Sequence, residues 1–135
     1  MTWYILDEQN QPVPVASALE SLQWKEAHKE RCAIGRTTLH HQGEEVQIST
    51  SFLGINHNFL DTDLPLLFET MVFASEEILR TLVEMSETEP RSILAQWVGA
   101  VDIQKRYPTY EEAVRGHRTM VQFVEVCLTK MARGG

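Results

Sequence analysis

At 135 residues, with 43% hydrophobic and 23% charged residues, the chain has the length and balance of one folded domain rather than of a disordered segment. A formal net charge of −7, a pI near 5.2 and the lack of any Lys/Arg cluster exclude a general nucleic-acid binder and disfavour an anionic membrane surface. No apolar run is long enough to span a membrane, no basic-then-apolar leader opens the chain, and Cys32 and Cys127 have neither zinc-knuckle nor disulfide-framework spacing, so the expectation is a cytoplasmic protein with reduced thiols.

Trp3-Tyr4-Ile5-Leu6 is rich in strand formers, and Asp7 to Pro12 reads as a turn before a short extended Val13-Pro14-Val15. Ser17-Ala18-Leu19-Glu20 has the form of a capping box, which starts a helix running to Arg31 with Leu19 and Leu22 on its apolar stripe. Cys32 to Leu39 is β-compatible with a bulge at Gly35, and the polar turn His40 to Glu45 makes this the first arm of a hairpin. On the returning arm the period of two places Val46, Ile48, Thr50 and Phe52 on one face and Gln47, Ser49 and Ser51 on the other.

After a polar loop holding Asn56-His57-Asn58 and Asp61-Thr62-Asp63, Pro65 introduces Leu66 to Phe73, apolar on both sides apart from Glu69 and Thr70, as a central strand is. Ser75 to Gln104 reads as a helical insertion, with two short helices around Ile78 to Met85 and Ile93 to Val98. Thr109-Tyr110-Glu111-Glu112 is a second capping box, and Tyr110, Ala113, Val114, Val121, Val124, Leu128 and Met131 define the buried face of a long C-terminal helix. The expected fold is therefore a single α+β domain over residues 1–135, an antiparallel-rich sheet packed by helices.

The runs Ser49-Thr50-Ser51-Phe52-Leu53-Gly54-Ile55-Asn56-His57-Asn58-Phe59 and Pro65-Leu66-Leu67-Phe68-Glu69-Thr70-Met71-Val72-Phe73, followed by Arg106-Tyr107-Pro108-Thr109-Tyr110-Glu111-Glu112-Ala113 and Gly116-His117, resemble a family of short uncharacterised phage and bacterial mobile-element proteins. The resemblance implies a mobile-element context and carries no assigned activity. Where that family has a short glycine-rich connection after the second run, this chain has the helical stretch from Ser75, which then becomes a candidate oligomerisation or partner surface.

Five residues stand out as candidate ligand-binding groups. Glu69 lies within a hydrophobic strand, His117 within an apolar helix face and His57 in the polar loop; if they converge, a carboxylate and two imidazoles are adequate ligands for a transition metal, although no HExxH or HxH spacing supports one. The alternative is that Glu69 and His117 are buried groups satisfied by one another or by the backbone. Arg106 and Tyr107 precede the last helix, whose N-terminus suits a phosphate or carboxylate; the alternative is that Arg106 pairs with a surface acid and Tyr107 packs on the sheet edge.

Asp61 and Asp63 lack the glycine and distal glutamate of a calcium loop, His40-His41 reads as solvent-exposed, and Trp24 and Trp97 are either recognition aromatics or core anchors. No nucleophile motif appears, so neither catalytic residues, a resident metal nor a cofactor is expected. The leading expectation is a non-enzymatic binding protein, homo-oligomeric, with a host protein or a small anionic ligand as partner. The alternatives are a protein that sequesters a small nucleotide and a small metal-dependent enzyme built on His57, Glu69 and His117.

Overall fold

The computed structural model describes residues 2–56, 65–87 and 103–134. The chain opens with a two-stranded hairpin, β1 (Trp3–Leu6) and β2 (Pro12–Val15), whose turn is held by Asp7 Oδ1 accepting from the backbone N–H groups of Gln9 and Gln11 at 2.8 and 2.9 Å. Helix α1 (Ala18–Ala27) follows, and the Ser17 hydroxyl caps it by accepting from Glu20 N–H. The single helix expected to Arg31 is instead broken at His28, whose φ of −129° and ψ of 44° leave helical space, and Lys29–Cys32 forms a separate turn, α2.

Leu19 and Leu22 do not bury. They are 63% and 53% exposed, while Ser21 is fully buried. Hydrogen bonding sets this orientation: Ser21 Oγ donates to Tyr4 O at 2.8 Å and Lys25 Nζ donates to Leu53 O at 2.8 Å, so α1 turns these donors inward to backbone carbonyls. Trp24, on the same side, acts as an anchor, stacked on His28 at 4.6 Å and set edge-on to Phe52 at 6.0 Å.

The main sheet has four antiparallel strands in the order β3-β4-β5-β6, comprising Ala33–His41, Glu44–Phe52, Phe68–Phe73 and Ile103–Tyr107. The β3-β4 turn is two residues, Gln42 and Gly43, both at positive φ, which is the backbone twist a tight hairpin requires. The register shifts between Ala33 and Gly35, where the sequence places a bulge. Val46, Ile48, Thr50 and Phe52 are buried as their alternation predicts. By the same alternation His41 joins Leu39 and Thr37 on the buried side, so it is only 9% exposed, and the solvent-exposed expectation holds for His40 alone.

Helix α3 (Glu76–Glu87) buries Ile78, Leu79 and Leu82 in the main core. Ile103 and Gln104, at the end of the expected helical stretch, belong to β6, as do Arg106 and Tyr107; Ile93 to Val98 lies outside the described residues.

Helix α4 (Tyr110–Arg133) is capped by Thr109 and crosses the sheet. Its buried residues are Ala113, Met120, Val124, Cys127 and Leu128, and with His117 they form one seam of three- and four-residue spacings. Cys32 and Cys127 are not joined by a disulfide. Two apolar clusters result: one holds Phe52, Phe68, Tyr107 and Ala113, the other Ile48, Val72, Leu82, Met120 and Val124. Thr50, Thr70 and His117 stand between them.

Candidate functional site

His117 projects from α4 onto the sheet over Gly35, where a Cβ would come within 2.9 Å of the imidazole ring. The bulge glycine therefore makes the seat for the ring. Both ring nitrogens are engaged: Nε2 lies 2.9 Å from Thr37 Oγ1 and Nδ1 lies 2.7 Å from Thr50 Oγ1. Thr50 Oγ1 is in turn 2.5 Å from Thr70 Oγ1 across the β4-β5 register pair.

The row ends at Tyr107, which is 4% exposed. Its hydroxyl is buried without hydrogen-bond geometry to any partner among the described residues. Burial pushes the phenol pKa up, and the Thr70 hydroxyl is near enough to offset part of that rise. Either threonine of the Thr50–Thr70 pair can donate to the other, and the two His117 nitrogens can bond Thr37 and Thr50 in either neutral tautomer.

Burial also lowers the His117 pKa from its ordinary value of 6.5. A second proton makes both ring nitrogens donors, so Thr37 and Thr50 must then both accept, and it places a charge in a half-buried site. Because the folded pKa is the depressed one, the unfolded chain binds the extra proton first. Stability is therefore unaffected above about pH 6.5 and falls as pH drops from there toward the folded pKa. Urea midpoints at neutral and mildly acidic pH are expected to fall more for the wild type than for His117→Gln. Equal falls would show that His117 does not titrate in this way.

Glu69 lies elsewhere. It pairs in register with Arg106, and Arg106 Nε donates to Glu69 Oε2 at 2.9 Å, with the carboxylate side chain 11% and the guanidinium side chain 34% exposed. Strand alternation puts Glu69 on the sheet face opposite Thr70, so Glu69 and His117 neither converge nor satisfy one another. His57, with Asp61 and Asp63, lies outside the described residues, as does Trp97. Among the described residues, no group of three or more His, Cys, Asp or Glu is placed to hold a metal ion.

Arg106 and Tyr107 do contribute to one further feature, a groove of about 300 Å³ between β6 and α4. Strand β6 contributes Lys105, Arg106 and Tyr107, and α4 contributes Glu112, Arg115, Gly116 and Thr119. The Lys105 ammonium lies 5.6 Å from the centre of the Tyr107 ring. With the Arg106 guanidinium engaged by Glu69, the cationic groups left to a ligand are Lys105 and Arg115. Sequence reasoning missed these two, together with the threonines of the His117 row. The available signals were the i, i+3, i+4, i+7 spacing of residues 112, 115, 116 and 119, which marks one helix stripe, and a glycine inside a helix, which marks a close approach.

Fold and groove together define a helix-covered antiparallel-sheet protein with a cationic trough along one sheet edge. In comparisons with known proteins, no family model, no curated protein and no solved structure matches the chain.

Proposed function

We propose that this is a non-enzymatic binding protein that takes an anionic ligand in the groove between β6 and α4. The observation that carries the reading is the placement of Lys105 on one wall and Arg115 on the other, with Glu112 the one acid among the lining residues. His117 supports a non-catalytic role, because both its nitrogens are committed to threonine hydroxyls. The same reading includes a homo-oligomer and a mobile-element context. The exposed Leu19 and Leu22 support the first, and the resemblance carried by residues 49–59 and 65–73 supports the second.

Calorimetric titration with inorganic phosphate, AMP and citrate at low salt tests the ligand class. At least one of these anions is expected to bind, with affinity that falls as salt rises and drops by at least about tenfold in the Lys105→Ala/Arg115→Ala variant. Equal binding by the variant would move the site away from this groove.

A further inference from the structure

We infer that the groove receives an extended, acidic peptide segment, which joins the sheet as an additional strand beside β6; this rests on the anion-binding reading of the same groove. Its shape argues for a chain rather than a compact molecule. A volume of about 300 Å³ lies at the lower end of small-molecule sites, and such sites enclose most of their ligand, whereas this trough is bounded by one strand and one helix stripe. An extended segment needs no enclosure, because its affinity comes from main-chain hydrogen bonds to a strand edge.

Strand β6 offers such an edge. Among the described residues it is terminal in the order β3-β4-β5-β6, with β5 on one side. Alternate N–H and C=O groups of a terminal strand point away from its neighbour and are available for pairing. The α4 wall is low at Thr119, whose side chain is short, while the Tyr107 ring packs onto Gly116 and brings β6 close to the helix. A backbone can therefore come close to both elements.

Charge selects the segment. Side chains of an added strand alternate between the two faces of the sheet, so every second residue of the ligand points toward the α4 side, where Lys105 and Arg115 stand. Carboxylates at those positions meet two cations and one acid, Glu112. A basic segment would meet the reverse.

Selection of a displayed library of random short peptides against the full chain tests this, followed by affinity measurement with the consensus peptide and with a copy N-methylated at alternate amides. The enriched sequences are expected to be rich in Asp and Glu. N-methylation, Lys105→Glu/Arg115→Glu and the exposed, charge-neutral Thr119→Trp, which fills the trough, are each expected to weaken binding by at least about tenfold. Enrichment without acidic residues, or equal binding of the N-methylated copy, overturns the inference. Phosphate and AMP are run beside the peptides. If they bind while no peptide is enriched, the peptide inference falls and the anion-binding reading stands; if neither binds, both fall.

Discussion

Phe68→Ala is expected to cost about 3–5 kcal/mol, the largest effect of any single truncation in the sheet. Phe68 is completely buried at the start of β5, with Phe52 at 5.4 Å and Tyr110 at 6.3 Å between ring centres. Its neighbours come from β4 and α4, so they cannot collapse together into the space without moving the helix off the sheet. Both the lost transfer free energy and the residual cavity therefore count. Urea unfolding should show a lower midpoint at unchanged slope, with Phe68→Leu losing less. A loss under about 1 kcal/mol for the alanine variant would mean that the aromatic cluster is not the packed centre described here.

Gly116→Ala sets two effects of opposite sign against each other. Helix propensity alone favours alanine by about 1 kcal/mol. The added Cβ, however, would stand 2.2 Å from Cζ and Oη of Tyr107, so the buried ring must shift to admit it. Overpacking of this kind costs about 1–3 kcal/mol and occasionally more. At 2.2 Å the contact wins, and we expect a net loss of about 2 kcal/mol. A double-mutant cycle isolates the cause: in a Tyr107→Leu background the same Gly116→Ala change should be neutral or stabilising. If Gly116→Ala stabilises the wild type, the close approach of α4 to β6 is absent.

Elements with a strong local signal were legible from the sequence. The Thr109 cap, the alternation of Val46, Ile48 and Phe52, and the bulge at Gly35 depend on neighbouring residues and appear where expected. Strand β6 was not legible, because the row facing α4 reads Ile103, Lys105, Tyr107, and a lysine between two apolar residues interrupts the period of two. Helix α1 misled in the other direction. Its leucines face out because Ser21 and Lys25 answer carbonyls of distant segments, a demand that no local pattern contains.

The site was harder to read than the fold for a related reason. Threonines are ordinary strand residues, and Thr37, Thr50 and Thr70 become a row only through the β3-β4-β5 register. Glu69 and His117 stand out in the sequence as polar groups within apolar stretches. What the sequence left open was their partners, because the side of the sheet each occupies depends on pairing that is fixed only in three dimensions.

The band of hydroxyls and imidazole between the two apolar clusters also acts as an alignment key. Greasy contacts have no direction, and a helix lined by Ala113, Met120, Val124 and Leu128 would lose little by sliding about 5.4 Å, one turn, along the sheet. Such a slip would carry His117 away from Gly35 and over bulkier strand residues, and it would strand the Thr50 and Thr70 hydroxyls in a dry interior. The polar band thus gives up some hydrophobic burial in exchange for a single seating of α4, as a lone polar residue does in a coiled-coil seam. That seating in turn holds Arg115 opposite Lys105, so the spacing between the groove's two cations is set from inside the core.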